Sequence, residues 1–140
     1  MPISKRKDLM YQVMENMVGM IRVVDSDNNV LYMNRSMREE FGDGTGKKCH
    51  SIFCDDGKCA DCISMESVKS GMPQAKEIKF GEKMYRIIAS PATDEGSAKY
   101  SIEIFYDITN QKQLEEQYRK HYEKLKGDIE FAKQIILIVL

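Results

Sequence analysis

The sequence predicts an α+β protein in which a five-stranded antiparallel sheet has short helices inserted after its second strand. Five short segments rich in β-branched and aromatic residues are separated by turn residues. Both ends of the chain show the periodicity of helices in their apolar residues. The chain therefore divides into an N-terminal amphipathic helix over residues 1–18, a sheet domain over 19–109 and a long C-terminal helix over 110–140.

The N-terminal segment has the pattern of an amphipathic helix. From residue 4 to about 18, apolar residues recur at steps of three and four, with charged and polar residues between them. A methionine-rich stripe at this spacing is typical of core or dimer packing, and we expect that role for it. The stripe consists of Leu9, Met10, Val13, Met14 and Met17.

A hairpin and two helices follow. The first two strands are predicted over residues 20–24 and 30–33, because polar turn residues at 26–29 separate two apolar runs. A helix is predicted over 34–41, where helix formers precede a glycine-rich break. A second short helix is predicted over 63–69.

Three more strands complete the predicted sheet. They are expected over residues 75–80, 84–90 and 99–107, and a turn over 91–97 is expected to join the last two. Alternation in the last strand gives one apolar face and one mixed face. The apolar face carries Ile102, Ile104 and Tyr106, and the mixed face carries Ser101, Glu103 and Phe105.

The C-terminal helix carries an apolar seam whose members are spaced alternately by four and three residues, which is the spacing of a coiled coil. Such a seam on a single helix needs a partner. A parallel homodimer is the simplest source of one, and the alternative is that the stripe folds back onto the sheet. The seam consists of Tyr118, Tyr122, Leu125, Ile129, Ala132 and Ile136.

All four cysteines of the chain lie in one run, as Cys49, Cys54, Cys59 and Cys62. The last three reproduce the C-x4-C-x2-C spacing of plant-type ferredoxins, so the run fits an iron–sulfur cluster with Cys49 as the fourth ligand. Read as two pairs, the run also fits a zinc site, although zinc sites usually leave a longer spacer between the pairs.

Two further interpretations of the cysteine run need no metal. Cys59 and Cys62 alone could form a reversible disulfide, since a C-x-x-C pair at the start of a helix gains thiolate character from the helix dipole. The other interpretation is that all four are reduced, partly buried small side chains. The spacing leaves these possibilities open.

Composition excludes several classes of function. The 140 residues suit one domain with one core, and 42% hydrophobic with 31% charged residues is ordinary for a globular protein. The net charge of −1 gives no electrostatic reason for binding to nucleic acid or an anionic membrane, and no apolar stretch is long enough to span one. We expect a cytoplasmic protein, in which a structural disulfide is not favoured. No catalytic set of residues is recognisable, so we expect no enzyme.

Three segments of the chain resemble PAS sensor domains. They are NMVGMIRVVD at residues 16–25, VLYMNRSM at 30–37 and DITNQK at 107–112, and the resemblance runs from about residue 9 to 113. It implies that residues 19–109 form a PAS-like sensor domain ahead of a signalling helix. It also implies that Asp107 and Thr109 couple the sheet to that helix.

The resemblance further implies a regulatory role. Residues 46–49 and Cys59-x-x-Cys62 resemble a cysteine-bearing subset of bacterial PAS domains, to which Cys54 is an addition. A module of this kind would detect a small ligand, a metal or a redox signal and transmit it through a dimeric coiled coil. The output domain or partner would be of the histidine kinase or serine phosphatase type. The alternative is a zinc- or iron–sulfur-binding redox protein that uses the four-cysteine run.

Overall fold

A computed structural model describes residues 1–53, 59, 61–94 and 97–139. The chain forms two compact units, Met1–Asp107 and Ile108–Leu140. The first unit contains the sheet and the shorter helices, and the second is one long helix. No helix in the described ranges combines the length and hydropathy needed to cross a membrane.

The first unit is built on a five-stranded antiparallel sheet, as the sequence predicts. Its strands are β1 (Met20–Asp25), β2 (Val30–Met33), β3 (Gln74–Phe80), β4 (Lys83–Asp94) and β5 (Ser97–Asp107). They are arranged in the order β2-β1-β5-β4-β3, and every neighbouring pair is antiparallel. The last strand along the chain therefore lies at the centre of the sheet.

The described helices match the predicted ones closely. They are α1 (Ile3–Asn16), α2 (Arg35–Phe41), α3 (Ile63–Ser70) and α4 (Thr109–Val139), and Cys49–Ser51 forms a short 3-10 turn. Helix α2 contacts β1, and α3 contacts β3, β4 and β5. The helices inserted after β2 thus cover one face of the sheet, and the fold class is confirmed.

The core lies between that face and the inserted helices. Ring contacts centred on Phe41 join α2 to the sheet, with Phe41 and Tyr85 at a centroid separation of 5.1 Å and Phe41 and Phe105 at 5.8 Å. The face of β5 turned toward the helices is its mixed face, while Ile102 on the other face is only half-buried. The buried cluster consists of Val24, Val30, Met33, Met37, Cys49, Ile87 and Phe105.

One buried amide fixes the junction of α1, β1 and α2. The Asn34 side chain is fully buried, and its Oδ1 accepts hydrogen bonds from the backbone N–H groups of Met37 and Ile21, both at 3.1 Å. Its Nδ2 donates to the carbonyls of Met14, at 3.0 Å, and Gly19, at 2.7 Å. Asn34 therefore caps α2 and also satisfies backbone groups of two neighbouring segments.

The predicted turn over residues 91–97 is wrong. Strand β4 continues through Pro91 to Asp94, and its pairing with β5 places Pro91 opposite Ser101. The pairing between β3 and β4 ends at Gln74 and Ala89, so the segment of β4 that contains Pro91 is paired along one side only. A strand segment with one open side tolerates proline, which lacks a backbone donor.

Helix α4 forms the second unit and has no buried residue. Its predicted seam is exposed along its length, as is Phe131 on another side of the helix. Arg119 forms ion pairs along the helix with Glu116 and, at 3.0 Å, with Glu123. The coiled coil stays a prediction, because the structure describes one copy of the chain.

Replacement of Asn34 by alanine should lower the free energy of unfolding by about 3 kcal/mol, because it removes a helix cap and leaves buried backbone donors and acceptors without partners. Urea unfolding monitored by circular dichroism measures the change. Asn110→Ala removes the same side chain from an exposed helical position and should change stability by less than about 0.5 kcal/mol. Equal stability of the two variants would contradict the role assigned to Asn34.

Candidate functional site

A cavity of about 330 Å³ lies in the first unit, between the sheet and a segment of which the structure describes residues 49–53, 59 and 61–64. The segment contributes Cys49, His50, Phe53, Cys59, Asp61, Cys62, Ile63 and Ser64. The sheet contributes Arg22, Lys76, Ile78, Lys79, Ile87 and Glu103. A volume of this size is at the lower end of the range for small-molecule pockets.

A buried ion pair forms part of the sheet wall of the cavity. Arg22 and Glu103 are paired in register on β1 and β5, and their side chains are only 5% and 4% exposed. Arg22 Nε donates a hydrogen bond to Glu103 Oε2. Breaking a buried pair by removing one partner typically costs about 3–5 kcal/mol, because the remaining charge is left without compensation.

The guanidinium of Arg22 is held on several sides. Its Nη1 donates to the carbonyl oxygen of Cys49 at 3.0 Å. Its central carbon lies 5.3 Å from the ring centroid of Phe53 and 5.2 Å from that of Phe105, within the range of cation–π attraction. The charged group is therefore fixed in orientation before any ligand binds.

Helix α3 is attached to the same pair through hydroxyl groups. Ser64 Oγ donates to Glu103 Oε1, so both carboxylate oxygens of Glu103 accept hydrogen bonds. Ser67 Oγ donates to the Ser64 carbonyl at 2.7 Å and lies 3.4 Å from Ser101 Oγ on β5. Glu103 thus connects α3 with β1, through Ser64 on one side and Arg22 on the other.

Three of the four predicted site cysteines line this cavity. Cys49 is buried, whereas Cys59 and Cys62 are partly buried. Burial raises the pKa of the Cys49 thiol to about 11, so this group is protonated at neutral pH. Cys62 Sγ lies 3.9 Å from Asn28 Oδ1, near the turn between β1 and β2. Cys54 lies outside the described residues.

The metal-site prediction is left open by this arrangement. Among the residues that the structure describes, no three His, Cys, Asp or Glu side chains form a group suited to a metal ion. Because Cys54 is not described, a four-thiolate zinc or iron–sulfur site stays a prediction. Cysteine ligands bind metals as thiolates, so a metal at Cys49 would have to displace the proton that burial favours.

The two predicted signal-transfer residues lie on either side of the boundary between the two units. Asp107 is the last residue of β5, and Thr109 is the first residue of α4. Asp107 is paired in register with Tyr85 on β4. Their coupling role follows from the resemblance alone and stays a prediction.

The sequence reasoning missed Arg22 and Glu103. A signal was present, because each is a charged residue within a strand and has apolar residues on both sides of it in the sequence, and the two charges are opposite. In an antiparallel sheet such residues can face each other across neighbouring strands. What the sequence did not reveal is that β1 and β5, which are far apart along the chain, are adjacent.

The family profile described as PAS fold matches residues 14–113. The chain belongs to the PAS family. The match contains all five strands and the inserted helices, and it confirms the resemblance drawn from the three sequence segments. No curated protein matches the chain.

Solved structures agree with the PAS fold. A sensory box sensor histidine kinase from Vibrio cholerae is 13% identical with a TM-score of 0.54, and the match covers 75% of this chain and 91% of that one. The PAS domain of nitrogen regulation protein NR(II) from Vibrio parahaemolyticus is 14% identical with a TM-score of 0.58, over 71% of this chain and 98% of that one. An RNA-binding light-oxygen-voltage receptor is 16% identical with a TM-score of 0.70, over 88% of this chain but 39% of that one.

Alkylation should distinguish Cys49 in the folded protein from the same cysteine in the unfolded chain. Because the thiolate is the reactive form, a pKa of about 11 in place of the ordinary 9.0 lowers the reactive fraction at pH 8 roughly a hundredfold. We expect the rate to rise with pH up to the folded-state pKa. Iodoacetamide labelling followed by peptide mass spectrometry, with and without urea, measures both rates, and equal rates would contradict a raised pKa.

Proposed function

We propose that this PAS domain is a cytoplasmic sensory module that detects a small ligand, a metal or a redox change at the cavity. The observation that carries this proposal is the position of Glu103, which lines the cavity and lies on β5, the strand that continues into α4. An event in the cavity can therefore act on the strand that precedes the signalling helix.

The proposed signal passes through α3 and β5. A ligand that moves α3 would alter the hydrogen bond between Ser64 and Glu103, and with it the buried pair with Arg22. Asp107 at the end of β5 and Thr109 at the start of α4 would then transmit the change along the chain. A switch of this kind needs an element with two arrangements, and α4 is the element that we assign to it.

The output is proposed to be a change in the packing of an α4 homodimer. The exposed apolar seam of α4 is explained if a second copy covers it in a coiled coil. The attached or separate partner would be of the histidine kinase or serine phosphatase type. Histidine kinases are named for two solved structures of the same fold.

Changing Ile129 and Ile136 to lysine together should convert dimers into monomers, because each charge would be buried in the seam. Sedimentation velocity measures the change. A matched control is Phe131→Lys with Ile138→Lys, which replaces two exposed apolar residues on the opposite side of the same helix and should leave the dimer intact. Monomers in the control, or dimers in the seam variant, would contradict the proposed interface.

The alternative function is a zinc- or iron–sulfur-binding redox protein. It is favoured by one observation, which is that all three described cysteines line the same cavity. The cavity is also compatible with a cysteine site inside a sensor, so the absence of metal would exclude the alternative, whereas its presence would suit both functions.

Anaerobic purification followed by metal analysis, an absorption spectrum and a thiol count tests the alternative. Iron with visible absorption bands would support a cluster, and zinc with protected thiols would support a structural site. Cys62→Ser should lower the metal content if the run is the ligand set, whereas Ser51→Ala at an exposed neighbouring position should not. A metal-free protein in which all four thiols are reduced, counted after unfolding in urea, would exclude both metal functions.

A further inference from the structure

We propose that the cavity selects a small organic acid, a ligand with a carboxylate group and an apolar body, and that Arg22 binds the carboxylate. This inference deepens the sensory function proposed above and rests on it. It assigns a chemical class to the ligand and a specificity-determining role to one residue.

Arg22 has an unused pair of hydrogen-bond donors. Its Nε and Nη1 have acceptors, on Glu103 and Cys49, whereas Nη2 has no hydrogen-bond partner among the described residues. Every fully enclosed side-chain nitrogen or oxygen of the described residues has a partner, so Nη2 must be open to the cavity. A buried guanidinium therefore offers two N–H donors to a ligand, and an acceptor is what it lacks.

The Arg22 side chain is also preorganised for binding. The ion pair, the Cys49 carbonyl and the rings of Phe53 and Phe105 already fix the guanidinium. A ligand therefore does not need to order a flexible side chain when it binds. Hydrogen bonds between a guanidinium and a carboxylate are short and strong, and they are strengthened further where water is excluded.

The charges around the cavity favour an anionic ligand. Among the described residues, three cationic side chains, Arg22, Lys76 and Lys79, and two anionic ones, Asp61 and Glu103, line the cavity. Glu103 already accepts hydrogen bonds at both oxygens. Lys76 Nζ lies 3.7 Å from a carboxylate oxygen of Asp61, but the Asp61 side chain is 80% exposed, so solvent weakens this pair. The balance of charge therefore favours an anion over a cation.

The apolar lining of the cavity suits the body of an organic ligand. Phe53, Ile63, Ile78 and Ile87 supply apolar surface to the cavity on both of its sides. Apolar walls with a few fixed polar groups are typical of sites for small organic molecules. An inorganic anion would leave this surface uncovered, so an organic acid fits better.

Three matched probes test the charge preference. Phenylacetate, phenylacetamide and phenethylamine share an aromatic body and differ in a negative, neutral or positive group. Isothermal titration calorimetry on the full chain should show phenylacetate binding about tenfold or more tightly than phenylacetamide, because a charged acceptor strengthens the hydrogen bonds from Arg22. Phenethylamine should bind most weakly.

A charge-neutral double variant tests the role of Arg22 without leaving a buried charge unpaired. Arg22→Gln with Glu103→Gln should fold, as checked by circular dichroism, and should bind phenylacetate and phenylacetamide about equally. The matched control is Arg86→Gln with Glu77→Gln, which removes an exposed Arg–Glu ion pair from the same sheet. The control should keep the preference for phenylacetate.

The outcomes separate this inference from the sensory function. Tighter binding of phenylacetamide or phenethylamine, or no binding of any probe, would overturn the acid class. Retention of the acid preference in the Arg22 and Glu103 variant would overturn the role of Arg22. None of these results bears on the signalling part of the proposed function, which is tested separately by the oligomeric state of the Ile129 and Ile136 variant. A preference for phenylacetate that only this variant loses would support both the class and the residue.

Discussion

The buried pair of Arg22 and Glu103 is the interaction on which the sensor unit depends. It joins β1 to β5, which is the contact that brings the start of the sheet against its last strand. Through Ser64 the same carboxylate holds α3, and through the Cys49 carbonyl the same guanidinium holds the segment that leads into the cysteine run. Two charges thus position the sheet, α3 and the 3-10 turn at Cys49, all of which line the cavity.

A pair of this kind carries a cost as well as a role. Moving two charges out of water is unfavourable, and apolar residues of the same volume would often be as stable or more so. The burial of the pair is tolerated because both carboxylate oxygens of Glu103 accept hydrogen bonds and two aromatic rings lie beside the guanidinium of Arg22. Its retention at a cavity wall is therefore more easily explained by binding than by stability.

The sequence predicted the fold well because its signals are local. Alternation, turn residues and helical periodicity gave all five strands and the helices, and three segments pointed to the PAS family, which the profile match confirms. The error at Pro91 arose because proline interrupts a strand that is paired on both sides but is tolerated in a strand that is paired on one side. Whether β4 is paired on both sides at Pro91 depends on the length of β3. Local sequence contains no such information.

The site could be predicted only in part. The cysteine run indicated the correct segment, since Cys49, Cys59 and Cys62 all line the cavity. The polar wall of the cavity came from residues far apart in sequence, because Arg22, Ser64 and Glu103 meet only when β1 and α3 are placed on β5. The seam of α4 is readable from spacing, and the partner that we propose for it is a second copy, which a single chain does not contain.

The serine contacts of α3 have a consequence for motion. Both fully buried residues of this helix, Ser64 and Ser67, reach the sheet through hydroxyl groups and not through large apolar side chains. When such a helix separates briefly from the sheet, water can replace the lost hydrogen bonds, and the hydrophobic surface that α3 itself exposes comes from half-buried side chains such as Ile63. Local opening of α3 therefore costs much less free energy than global unfolding, and its amide hydrogens should exchange with solvent well before those of β5.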